Sequence, residues 1–256
     1  MLAFFALTSV VLRADEWHKE YTTSGKASVT VESNDAGIEI HAVDGNRVEA
    51  HVTTRGEKIA EDRVRITEHQ DGDQIRLEVH RPTRHFCIGV CNSGIHIELT
   101  VPKTTDLNVH TSDGGIDADG VRGSSRLESG DGHIEARSFD GSLVVDTHDG
   151  RIRADGRFDR LDLHTGDGSI EADVAAGSKM TNTWSLRSGD GHISIRLPGD
   201  FSAELDAHTG DGHVDVDVPV TVSGSLRGNS LRGRMNNGGQ TLELRTGDGS
   251  IRIEKI

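Results

Sequence analysis

The chain holds 256 residues, with 28 Lys plus Arg against 42 Asp plus Glu, a net charge of −14, 31 glycines and only 4% aromatic residues. Such a composition argues against a thick globular core, and its negative field opposes phosphate backbones, so nucleic acid is not an expected partner. No run of 18 apolar residues is present to form an ordinary transmembrane span.

The first fourteen residues, MLAFFALTSVVLRA, form an apolar run that ends before Asp15-Glu16-Trp17. The order fits the apolar segment and cleavage site of a secretory signal over residues 1–14, without the usual basic start, so the true start would lie upstream. The alternative is a buried N-terminal strand or helix. The signal reading makes the chain exported: secreted, periplasmic or cell-envelope associated. No cysteine closely follows the run, so a lipid anchor is not expected.

Residues 15–104 read as an irregular N-terminal β region and cap. Val29, Val31, Ser33, Gly37, Ile38 and Ile40 echo the pattern that becomes regular later. Val64-Arg65-Ile66 and Ile75–Val79 flank Asp71-Gly72, which reads as a hairpin. Ile95, Ile97, Leu99 and Val101 alternate before Pro102. This region is expected to cover one open end of the repeats, which would otherwise expose a strand edge.

Regular repeats occupy residues 105–256, and residues 15–256 read as one continuous domain. Asp-Gly pairs begin at Asp113, Asp131, Asp149 and Asp167, each 18 residues after the last, and again at Asp190, Asp211 and Asp248 after 23, 21 and 37 residues. The last gap is expected to hide one degenerate copy. Two residues before each Asp stands Ser or Thr, from Thr111 to Thr246. Four before stand Val109, Leu127, Val145, Leu163, Leu186, Ala207 and Leu244. Three after stand Ile116, Ile134, Ile152, Ile170, Ile193, Val214 and Ile251. The unit is L-x-V-x-[ST]-G-D-G-x-I-x-A. Apolar residues alternate with polar ones on both sides of the Asp-Gly, so each unit holds two short strands. The Gly after Asp is expected to supply a positive φ. A looser second turn follows, with Gly120, Gly123 and Gly141.

An antiparallel meander with Asp-Gly hairpins fits two strands per unit, but it does not need the same residue at the same station in every unit. Stacked parallel coils, ~4.8 Å apart, do. The fold expected is therefore all-β: a single-stranded right-handed β-solenoid (β-helix) with coils of about 18 residues, the hand following the rule for parallel crossovers. Stacked Asp carboxylates repel; at an exposed turn that repulsion is screened, and each Asp can cap its own turn. Glu254-Lys255 in the C-terminal coil would blunt the second open edge.

Ile97-Glu-Leu-Thr-Val-Pro-Lys103, followed by Leu107-x-Val109-x-Thr111-x-Asp-Gly, resembles the bacterial putative-adhesin repeat family. So does Asn236-Asn-Gly-Gly239 followed by Leu242-x-Leu244-x-Thr246-Gly-Asp-Gly-x-Ile251. The likeness covers roughly residues 28–256. It implies a β-solenoid of exported or envelope-associated bacterial proteins, with no catalytic residues to carry over. Asp-Gly often stands here where the family resemblance implies Asn-Gly, which makes this copy more acidic.

The turn residues Asp113, Asp131, Asp149, Asp167, Asp190, Asp211 and Asp248 invite a calcium reading, as in other secreted β-rolls. Those rolls use a nine-residue unit, and each turn here offers a single Asp, so turn chemistry is the preferred reading. His110, His164 and His208 share one outward station, and His133, His192 and His213 another. His192 and His213 would lie on adjacent coils near Asp215, but a zinc or nickel site needs three or four converging ligands. No metal and no cofactor is expected.

Cys87 and Cys91 are the only cysteines, in His85-Phe-Cys-Ile-Gly-Val-Cys91. In an exported chain the pair is read as a disulfide, with Gly89 turning the backbone, because straight strand would hold the Cα atoms ~13 Å apart. Free thiols, or a zinc site with His85 or His96, are the alternatives.

Two functions follow. One is a non-catalytic exported scaffold or adhesion module that offers polar faces to an envelope, glycan or protein partner and gains avidity from repetition. The other is a carbohydrate-active enzyme, which needs residues that break the repeat. Those are the segments 174–187, with Lys179 and Trp184, and 217–240, with Arg227, Arg232 and Arg234. Trp184 replaces an inward Leu and reads as core.

Overall fold

The computed structural model describes residues 14–81, 94–222 and 228–256, and every regular element among them is a β-strand. The disulfide expected at Cys87 and Cys91 and the signal expected over residues 1–14 fall outside the described residues, except that Ala14 opens the first strand.

Two ladders carry the architecture. In spatial order the first contains β5 (Arg65–Asp71), β6 (Gln74–His80), β2 (Ala27–Ser33), β8 (Thr105–Thr111) and β10 (Arg122–Ser129). It continues through the second halves of β11 (Ile134–Thr147) and β12 (Ile152–Thr165). Then come β14 (Trp184–Ser188), β20 (Thr241–Thr246), β16 (Ala203–Thr209), β19 (Ser230–Met235) and β18 (Val220–Val222). The second ladder contains β1 (Ala14–Thr22), β4 (Arg47–Arg55), β7 (Gly94–Pro102), β3 (Gly37–Val43), β9 (Ile116–Asp119) and the first halves of β11 and β12. It ends with β13 (Ile170–Val174), β15 (Ile193–Leu197), β21 (Ile251–Lys255) and β17 (Val214–Val216). A coil is one passage of the chain through both ladders, with the Asp-Gly turn between them.

The register follows the repeat. Leu127 pairs with Val145, Val145 with Leu163 and Leu163 with Leu186; Ile116, Ile134, Ile152, Ile170 and Ile193 form the matching row in the second ladder. All of these pairings are parallel, and all of these side chains are buried. Alternation of period 2 thus puts one aliphatic row per ladder into a thin shared core, and burying each such side chain is worth roughly 1.5–3 kcal/mol. At the corner after the second ladder, Phe139, Phe158, Trp184 and Phe201 continue the core, with ring centroids 6.2, 6.3 and 5.4 Å apart in turn. Trp184 is fully buried, and its Nε1 donates to the Asp159 carbonyl at 3.2 Å.

The coils do not stack in chain order. The β2–β3 coil lies between β6–β7 and β8–β9, so the first coil of the chain is inside the stack and the second is outside it. At the other end the last coil, β20–β21, lies between β14–β15 and β16–β17. Glu254 and Lys255 therefore sit within the stack rather than at its edge. Among its described residues the 37-residue gap holds no further coil: β19 runs antiparallel to β16, and β18 antiparallel to β19, covering that end of the first ladder. At the opposite end β1, β4 and β5 pair antiparallel, with Gly72 turning the β5–β6 hairpin at φ 58°. Antiparallel strands thus flank the parallel rows.

Candidate functional site

The repeated turn is the first constellation to place. The Asp side chains at 113, 131, 149, 167, 190, 211 and 248 are all exposed. Their backbone N–H groups join coils: that of Asp131 donates to the Ser112 carbonyl and that of Asp167 to the His148 carbonyl, at 3.2 and 3.1 Å. Capping falls to the Ser or Thr two residues earlier rather than to the Asp carboxylate. Thr165 Oγ1 accepts the Gly168 N–H at 3.1 Å and donates to the Gly150 carbonyl of the neighbouring coil at 2.9 Å. Ser129, Ser188 and Thr209 repeat the pair of bonds. These hydroxyls are buried and each both accepts and donates, so the hydroxyl column is structural.

The glycine after each Asp has a different purpose from the one expected. Gly132, Gly150, Gly168, Gly191, Gly212 and Gly249 are absent from the positive-φ residues. A Cβ on Gly150 would stand 1.9 Å from the Gly132 carbonyl oxygen, and one on Gly168 2.0 Å from that of Gly150. Glycine is required there because backbones of adjacent coils approach too closely for a side chain. Positive φ belongs to the looser corner, at Gly120, Gly123, Gly141 and Gly156.

The outward stations form rows of charge. On the first ladder Glu32, His110, Glu128, Asp146, His164, Arg187, Arg245 and His208 succeed one another across strands. His164 Nδ1 lies 3.0 Å from Asp146 Oδ2, and His110 lies 3.6 Å from Glu128. On the second ladder His133 lies 3.7 Å from Asp117. His192 and His213 do not adjoin. Ser250 of the inserted last coil stands between them: its N–H donates to His192 Nδ1 at 3.0 Å, and its Oγ lies 2.9 Å from His213 Nδ1. His213 Nε2 in turn faces Asp215 at 3.1 Å. Among the described residues no group of three His, Cys, Asp or Glu converges as a metal site would need.

The repeat-breaking segments are also structural where described. Arg232 and Arg234 bond Asp206 and Glu204 of β16 at 3.2 and 2.8 Å and so fasten the end strand β19. The Lys179 backbone N–H donates to the Phe158 carbonyl. Arg227 lies outside the described residues.

One concave feature is an open groove of about 900 Å³ along the corner where the second ladder leads to the next coil. Its walls carry two rows, Arg122–Asp140–Arg157 and Asp155–Asp173–Arg196, over Phe139, Gly156, Ala175 and Pro198. The backbone there is irregular: Ser138 sits at φ 51° beside a register shift, and its N–H donates to Asp155 Oδ2 at 2.9 Å. Arg157 bonds both Asp140 and Asp159, which holds its guanidinium above the usual arginine range and the Asp159 carboxyl below the usual carboxylate range. Arg196 is likewise paired with Asp173. Arg122 is the loosest of the three, 4.0 Å from Asp140 and 62% exposed. The periodic pattern could not flag this groove, since it arises from residues between the repeated stations.

Residues 106–254 match the family model Toastrack DUF4097. The chain belongs to the Toastrack DUF4097 family. No curated protein matches it. Among solved structures it is similar to a "putative cell adhesion protein" from Clostridium sporogenes, at 15% identity over 95% of this chain and 100% of that one, with a TM-score of 0.47. It is also similar to a "putative adhesin" from Bacteroides fragilis, at 13% identity over 94% and 97%, TM-score 0.46. A third is a "putative lipid binding protein" from Parabacteroides distasonis, at 15% identity over 94% and 97%, TM-score 0.43.

Proposed function

We propose that this Toastrack DUF4097 chain is a non-catalytic, exported or cell-envelope-associated scaffold or adhesion module. In this reading residues 15–256 form one continuous right-handed, single-stranded β-solenoid that presents its polar repeat faces to an envelope, glycan or protein partner. The right hand rests on the rule for parallel crossovers. The observation that carries the function is the pairing of the outward side chains. Carboxylates, arginines and histidines are tied to neighbours within their own rows, as in Asp146–His164 and Asp173–Arg196, rather than aimed at one point. Such a surface offers many similar, individually weak contacts along its length, which suits avidity rather than turnover.

A sedimentation pull-down tests this. The chain is mixed with isolated bacterial envelope, peptidoglycan and soluble polysaccharides across a salt series. Saturable co-sedimentation with one fraction is the expected result. Turnover of any of these polysaccharides would overturn the non-catalytic reading.

A further inference from the structure

The last coil of the chain is held on both sides by coils that precede it in sequence. β20 is paired with β14 and β16, and β21 with β15 and β17, all in parallel. Leu242, Leu244, Ile251 and Ile253 are completely buried between those neighbours. Hydroxyl bonds close both sides: Thr246 Oγ1 donates to the Gly191 carbonyl at 2.7 Å, and Thr209 Oγ1 to the Gly249 carbonyl at 2.6 Å.

Diagonal ion pairs link this coil to both neighbours. Glu243 pairs with Arg187 of β14 at 2.5 Å, and Arg245 with Asp206 of β16 at 2.8 Å. Stacking in chain order would set β14 directly against β16. Arg187 would then stand beside His208 with Asp206 on its diagonal, much as it now stands beside Arg245 with Glu243 on its diagonal, so these charges do not by themselves exclude chain order. The slot is matched to a coil by its aliphatic rows, its turn hydroxyls and the diagonal pairs. Only residues 236–240 connect that segment to β19. They hold a bend, with Asn236, Gly238 and Gly239 at φ 48°, 69° and 134°. Extended, five residues span up to about 17 Å.

None of the contacts that hold the last coil requires it to come from the same chain. We propose that the slot between the β14–β15 and β16–β17 coils also accepts the Thr241–Lys255 coil of a second copy, so that this protein joins to itself by exchange of its last coil. Reciprocal exchange gives a closed dimer, and one-way exchange an open array.

Tagged and untagged full chains, mixed in partial denaturant and returned to native buffer, should yield mixed-tag species that persist on dilution. A synthetic peptide of residues 236–256, added in excess during the return, should be retained by the chain and reduce mixed species at least five-fold. The same peptide carrying Leu244→Asp and Ile251→Asp, which would bury a charge in each aliphatic row, should be retained at least ten-fold less by the unaltered chain; equal retention of the two peptides would overturn the proposal. Absence of mixed species, or mixed species that form undiminished while the peptide passes through unbound, would overturn the proposal.

Discussion

Replacing Gly150 by Ala is expected to be far more costly than an ordinary Gly→Ala change. The new Cβ would lie 1.9 Å from the Gly132 carbonyl oxygen, so the two coils must separate by at least 1.1 Å (3.0 − 1.9) to reach a distance that real Cβ atoms show. That carbonyl accepts Thr147 Oγ1 at 3.0 Å, and the Ile134 N–H to Arg151 carbonyl bond, at 2.9 Å, joins the same pair of coils. Both bonds stretch beyond useful length on such a shift. Overpacking of about 1–3 kcal/mol and two bonds of about 1 kcal/mol each give a loss of about 3–5 kcal/mol. Gly94, whose added Cβ meets nothing within 4 Å, is the control; Ala there should change stability by no more than about 0.5 kcal/mol. Urea unfolding of the three chains measures the difference. Gly150→Asn separates the causes, because Asn is tolerated where left-handed backbone is the demand. If Gly150→Asn matches the parent chain, or Gly150→Ala costs under about 1 kcal/mol, the close-approach argument fails.

Thr165→Val should cost about 2–3 kcal/mol by urea unfolding, since it removes the bonds to Gly168 and Gly150 at a buried site, whereas Asp167→Asn should stay within about 0.5 kcal/mol. The reverse ranking would return the cap to the Asp. Ile152→Asp buries a charge between Ile134 and Ile170 and should abolish the cooperative thermal transition; retention of that transition would contradict the inward row. Hydrogen bonds from Arg245 hold the Asp206 carboxyl below its ordinary 3.8, and those from Arg187 hold Glu243 below its ordinary 4.5. Their folded values lie under their unfolded ones, so their contribution is fully present above about pH 5 and is lost as pH falls through the folded values. Asp206→Asn with Glu243→Gln should therefore flatten the acid limb of a melting-temperature profile below about pH 4.5 and leave the slope above pH 6 unchanged; an unaltered acid limb would count against these pairs.

The repeat made the coil legible from sequence, because Val145, Thr147 and Ile152 recur at fixed stations and period 2 assigns their side. Which coil touches which was not legible. Leu186, Leu244 and Ala207 occupy equivalent stations, so any order satisfies the aliphatic rows. The Asp-Gly pair was ambiguous for a related reason: a glycine demanded by φ and one demanded by a neighbour's carbonyl look identical in sequence. The hydroxyl column was visible as [ST] two residues before each Asp, but its role depends on a carbonyl 15 residues away, as in Thr147 to Gly132. The corner groove drew no signal, since Arg122, Asp155 and Arg196 are not at conspicuous repeat positions.

The claim that function resides in repetition is tested most directly by removing one whole coil. Deleting residues 131–148 joins Gly130 to Asp149 and leaves every station in phase, so the stack should fold with near-neighbour contacts renewed. Binding of this shortened chain to the envelope fraction that retains the full chain is the measurement. The account predicts a folded protein that binds that fraction measurably but more weakly. A folded protein with binding wholly lost would instead place the function in one local site.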